Sequence, residues 1–162
     1  MNVNLKTPTE TALSIYSTIL EGKTPYVKTA VLEIEFSGTA NDPAMEVSIV
    51  VDNKVMLTKS LSTDITKFEC NIPDSDETTE HELRIELHGN PTGAMVHIRS
   101  IRIEGLCMRL TMEDTGNCWF GEDQTIPSEY MGQVGYQSLK FTTPIYPWLL
   151  ANERKETYYY PH

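Results

Sequence analysis

Aromatic side chains crowd the last third of this chain, and their chemistry suits recognition. Trp119, Tyr130, Tyr136, Trp148, Tyr158, Tyr159 and Tyr160 all lie beyond residue 112. A ring of this kind buries a large area with few rotatable bonds, so it anchors protein interfaces and also stacks on sugar rings. Packing back over the chain's own sandwich, to seal an open sheet edge, is an equal use of the same residues. No nucleophile elbow, phosphate-binding glycine loop or H-E-x-x-H occurs, and Gly132-Gln133-Val134-Gly135 lacks the lysine and the strand-to-helix setting of a nucleotide site. His88 and His97 could supply two ligands, with Glu86 on the same face, where a structural zinc usually takes four. Asp74, Asp76 and Glu77, and Glu113-Asp114 with Glu122-Asp123, offer the hard oxygens calcium takes, without EF-hand spacing. Those residues are expected to be solvated loops and faces, with no catalytic residue, cofactor or metal.

The elements that must position the rings read mostly in period two. Leu32, Ile34 and Phe36 alternate with Glu33 and Glu35, a half-buried strand with an acidic outer side. Met45, Val47, Ile49 and Val51 lead to Asp52-Asn53, a hairpin turn, and the chain returns through 54 to 60. Phe68, Cys70 and Ile72 alternate before the turn-rich Pro73-Asp74-Ser75-Asp76. His81 to His88 alternates without a break, and the chain comes back as Met95 to Glu104. There Val96 and Ile98 are followed by Ile101 and Ile103, a change of phase that one extra residue near Arg99-Ser100 repairs, which is the mark of a β-bulge. As a hairpin, these two runs would set Leu87 opposite Ile98, Ile85 opposite Ile101 and Leu83 opposite Ile103, with His88 beside His97 and Glu86 beside Arg99. Leu106, Met108 and Leu110 continue the alternation, and 12 to 20 carries a weaker strand pattern. From 113 onward the period fades, and Pro147 to Arg154 reads as a short helix with proline in its first turn.

The expected fold is therefore all-β: a jelly-roll-like β-sandwich over 1–112, followed by an extended, mostly irregular, aromatic-rich C-terminal arm over 113–162. On this division, deleting the arm should leave a foldable sandwich. With 23 acidic and 13 basic residues in 162, the formal charge of −10 repels phosphate backbones and anionic lipid, which excludes nucleic acid and membrane as expected partners. The first ten residues are polar and carry no secretory pattern, and no run is long enough to span a bilayer. Cys70, Cys107 and Cys118, an odd number without C-x-x-C spacing, are expected to be free thiols in a cytoplasmic setting.

One stretch resembles a known family. His81 to Leu87, then Gly93-Ala94, then Val96 to Gly105 look like the closing hairpin of carbohydrate-binding-module jelly rolls, with the pattern HxLxIxL…VxIxxIxIxG. In calcium-dependent members the loop before the last strand supplies acidic ligands, whereas Asn90, Pro91 and Thr92 stand there in this chain. Jelly rolls of this kind also resemble the modules that tailed bacteriophages use as decoration, neck or tail proteins. The first expectation is a non-enzymatic structural protein of a virion, assembled in the host cytoplasm. It would bind neighbouring subunits, other copies of itself among them, through the aromatic arm. The alternative expectation is a carbohydrate-binding module recognising glycans through exposed aromatics.

Overall fold

The computed structural model describes residues 10, 13, 29–90, 92–108, 118–120, 130–131, 134–153 and 158–159. Outside them lie the acidic pairs at 113–114 and 122–123, the glycine at 132, Tyr160, and the strand expected over 12 to 20 apart from Leu13, which is helical.

From Thr29 onward the described residues form eleven strands and one helix in the order β1 (Thr29–Gly38), β2 (Asp42–Val51), β3 (Lys54–Leu61), β4 (Thr66–Pro73), β5 (Thr79–Gly89), β6 (Val96–Ile103), β7 (Leu106–Met108), β8 (Cys118–Phe120), β9 (Tyr130–Met131), β10 (Gly135–Thr143), α1 (Ile145–Glu153) and β11 (Tyr158–Tyr159). They build two antiparallel sheets facing each other in a jelly-roll-like sandwich. Sheet A runs β11-β7-β6-β1-β4, with β9 also on β6, and sheet B runs β3-β2-β5-β10-β8.

Alternation fills the space between the sheets. Leu32, Ile34, Phe36, Ile98, Ile101 and Ile103 from sheet A meet Met45, Val47, Ile49, Leu83, Ile85 and Leu87 from sheet B, all buried. Burying such side chains is worth about 1.5–3 kcal/mol each relative to exposure, which is why the pattern dictates the register. The β2–β3 hairpin turns on Asp52 (φ 50°) and Asn53 (φ 64°), the left-handed pair a two-residue turn demands. Asp52 also ties the turn to β5: its carboxylate accepts from the Glu82 N–H at 2.9 Å and lies 2.7 Å from His81 Nδ1. A second left-handed pair, Glu104 (φ 52°) and Gly105 (φ 82°), closes the β6–β7 hairpin.

The structure corrects one pairing. The strong runs β5 and β6 do not form a hairpin: β5 lies in sheet B between β2 and β10, and β6 lies in sheet A beside β1. Both runs need their apolar side on the same core, and two facing sheets satisfy that as well as one hairpin does. Gly89 makes the exit from sheet B, at φ 117°, where a β-carbon would stand 2.1 Å from the Ala44 carbonyl oxygen. The expected bulge is real but is read against β1. Glu35 pairs with Ser100 and Phe36 with Ile98, leaving Arg99 as the extra residue.

Within 113–162, β10 pairs along its whole length with β5, from Gly135↔Leu87 to Thr143↔Thr79. α1 then adds Ile145, Tyr146 and Leu149 to the core. Its first N–H is capped by the Asp74 carboxylate at 3.1 Å, so part of the acidic 73–77 loop holds a helix end.

Candidate functional site

The bulge organises the outer face of sheet A. Ordinary alternation would keep Arg99 outside after Ile98 and send Ser100 into the core; with one residue added, Arg99 and Ser100 both face out before Ile101 turns in again. Two rows result across β4, β1 and β6. Glu69, Glu33 and Arg102 share one, and Lys67, Glu35 and Ser100 the next. Three strands at about 4.8 Å spacing make a platform about 10 Å wide. These six residues, with Ile34 and Phe68, line a recess of about 260 Å³.

Three carboxylates, two cations and a hydroxyl share this recess. Arg99 Nε sits 3.6 Å from Glu35 Oε1, on side chains that are 41% and 33% exposed, a loose ion pair worth little in water. Burial raises the Glu33 pKa above the ordinary carboxylate value; Arg102 opposes that, and Glu69 and Glu104 add to it. Lys67 and Glu69 make no side-chain hydrogen bond or ion pair among the described residues. One row further on, Ser37 pairs with His97 and His97 with Tyr130, and the His97 and Tyr130 rings stack at 4.5 Å and 8°. An aromatic pair therefore lies one row beyond the recess on the same face.

The outer face of sheet B carries similar residue types in another state. Arg84 Nη2 binds Glu86 Oε2 at 2.9 Å, Arg84 Nε lies 3.8 Å from Glu82, and the guanidinium covers the Tyr136 ring at 5.2 Å. His88 Nε2 meets Glu86 Oε1 at 3.0 Å. These groups answer one another, save that Arg84 Nε is buried without a hydrogen-bond partner among the described residues.

The aromatic residues singled out in the sequence are thus dispersed. Tyr130 belongs to the sheet A face and Tyr136 to the sheet B face. Trp148 is 8% exposed and meets Phe141 edge-on at 6.1 Å, inside the core. Trp119 lies in β8 opposite Ser138, and Tyr158 and Tyr159 in β11 opposite Met108 and Cys107. His88 and His97 stand on different sheets, so the imagined two-histidine metal site does not form. Among the described residues, no group of three or more His, Cys, Asp or Glu is placed to hold a metal ion. The recess itself escaped sequence reasoning, although its signal was present: Glu33 and Glu35 on one strand, and a bulge that turns Arg99 and Ser100 outward together.

A second hollow, about 620 Å³, opens where β3 and β4 end the two sheets. It is lined by Met56, Leu57, Phe68 and Cys70, with Lys59 and Lys67 among its other residues. Burial, with the Asp52 charge adding to it, pushes the Cys70 thiol up to about 11, so the thiol is inert at neutral pH.

No family model matches the chain, and no curated protein matches it. Two solved structures are similar. One is a selenomethionine form of vCBM60, titled as an evolutionary link by circular permutation between two families of calcium-dependent carbohydrate binding modules. It has 19% identity over 68% of this chain and 89% of that one, with a TM-score of 0.47. The other is vCBM60 in complex with galactobiose, with 18% identity over 67% of this chain and 96% of that one, and a TM-score of 0.46.

Proposed function

We propose that this chain is a non-catalytic glycan-binding module whose ligand lies across the outer face of sheet A. The recess of Glu33, Glu35, Lys67, Glu69, Ser100 and Arg102 carries the reading. Sugars present hydroxyls that donate and accept at short intervals, and adjoining carboxylates flanked by cations on a rigid sheet answer both roles. The His97–Tyr130 pair adds an apolar ring surface beside them, which suits the C–H face of a pyranose. Rigid strands make the positions pre-organised, so binding needs little ordering.

The dispersal of the arm's aromatics favours this reading over a single aromatic clamp, because Trp148 is in the core and Tyr130 and Tyr136 face opposite ways. Glu33 and Glu69 lie directly opposite on neighbouring strands, so turnover belongs in the same assay. Titration calorimetry with a panel of neutral oligosaccharides, galactobiose among them, is expected to find one binder that is released unchanged. Arg102→Ala should weaken it at least tenfold and Tyr130→Ala by roughly fivefold, corresponding to about 1.4 and 1 kcal/mol. Hydrolysis of the bound saccharide, or affinity indifferent to both substitutions, would overturn the proposal.

A further inference from the structure

The two sheets end side by side at β3 and β4, and the two edges are built differently. β3 is guarded: its pairing with β2 shifts register between Ile49 and Val50, bulging at Met56, and Lys54 and Lys59 punctuate it. Bulges and lysines are the devices that stop an edge strand from recruiting another. β4 has no bulge. It pairs with β1 in unbroken register from Thr29↔Pro73 to Phe36↔Thr66, and among the described residues no strand pairs its other side. Lys67 and Glu69 stand on this edge and Pro73 ends it, but a straight edge without a bulge remains open to a strand whose charges complement them.

We infer that β4 is a self-association edge that pairs antiparallel with β4 of a second copy about a two-fold axis at Phe68. The observation that selects a second copy is the charge order of the strand. In Lys67-Phe68-Glu69 the charges are antisymmetric about the phenylalanine. Antiparallel pairing centred there sets Phe68 against Phe68, Lys67 against Glu69 of the second copy, and Glu69 against its Lys67. Both charges of each copy then gain an opposite partner on the outer face. In one copy Lys67 and Glu69 are exposed and make no ion pair among the described residues, and Glu69 instead faces Glu33. The apolar hollow of Met56, Leu57, Phe68 and Cys70 opens on this same edge, so the pairing brings the two hollows together and withdraws Met56 and Phe68 from water. A two-fold contact is closed, which yields a dimer rather than a fibre.

The test is the solution mass of the full chain by sedimentation equilibrium, without saccharide, so that it succeeds or fails independently of glycan binding. The unaltered chain should be a dimer that dissociates on dilution. Lys67→Glu sets Glu against Glu twice, and Glu69→Lys sets Lys against Lys twice; each should weaken self-association by roughly tenfold or more. Two controls separate a lost contact from a lost fold. The double substitution K67E/E69K restores the order in mirror image and should dimerise again. An equimolar mixture of the two single variants should form a heterodimer that neither forms alone. A monomeric unaltered chain at every attainable concentration, or a dimer whose mass ignores both charge reversals, would overturn the inference.

Discussion

The outer faces of the two sheets carry nearly the same side chains, glutamates, arginine, lysine, histidine and tyrosine, yet they differ in what those side chains are doing. On sheet B, Arg84 is spent on Glu86 and Tyr136, and His88 on Glu86. On sheet A the bulge at Arg99 and the row of Glu69, Glu33 and Arg102 spread the charges around a recess. Lys67 and Glu69 are left without a partner among the described residues, and Glu33 is half-buried at a desolvation cost. A polar face whose groups satisfy each other stabilises the fold. One whose groups stay spaced and pre-positioned is available to a ligand, and composition alone does not distinguish the two.

Breaking sheet B as a whole has the largest expected effect. Deleting 113–162 takes β10 from beside β5 and removes Leu139, Phe141, Ile145, Tyr146 and Leu149 from the core. The fragment 1–112 should therefore lack cooperative thermal unfolding by circular dichroism. A cooperative transition would show that the remaining strands close a core without β10. The comparison sharpens with a matched pair of smaller changes. Arg84→Ala should cost about 1–2 kcal/mol of stability, because it leaves Glu86 half-buried and uncovers Tyr136, while leaving saccharide affinity intact. Arg102→Ala should do the reverse, with near-native stability and lost affinity. Denaturant unfolding and calorimetry of the two variants check both halves.

The smallest effect concerns Glu33. Its folded pKa is raised above 4.5, so the folded state favours the protonated form, and its contribution to stability is lost as pH rises through the raised value. Glu33→Gln removes that loss. At neutral pH the variant should be more stable by less than about 1 kcal/mol, since the side chain is only partly buried, and the difference should vanish below pH 4.5. Parallel melting curves at neutral and acid pH read this directly.

Much of the sandwich was legible because apolar residues recur every second position in β1, β2, β5 and β6, and because Asp52-Asn53 is a turn pair. The bulge was legible too, as a phase error between Ile98 and Ile101. What alternation does not carry is the sheet to which a strand belongs. β5 and β6 each need one buried side, and a hairpin and a pair of facing sheets meet that need equally. β10 was hidden for another reason: its inward residues are Gln137, Leu139, Phe141 and Thr143, and the two polar ends blur the period. Thr143 is buried because its hydroxyl meets His81 Nε2 at 3.1 Å, a tertiary contact no local pattern announces. Of the recess only Glu33, Glu35 and the bulge were legible, since it is assembled from β1, β4 and β6 and takes shape only in the register of three strands.

Backbone amide shifts of the ¹⁵N-labelled chain, recorded while the best saccharide of the panel is titrated in, bear most directly on the reading of the sheet A face. Glu33, Glu35, Ser100 and Arg102 should move together with one dissociation constant, with Arg84, Glu86 and His88 unmoved. Shifts confined to sheet B, or none with any saccharide, would contradict the assignment of the ligand to sheet A.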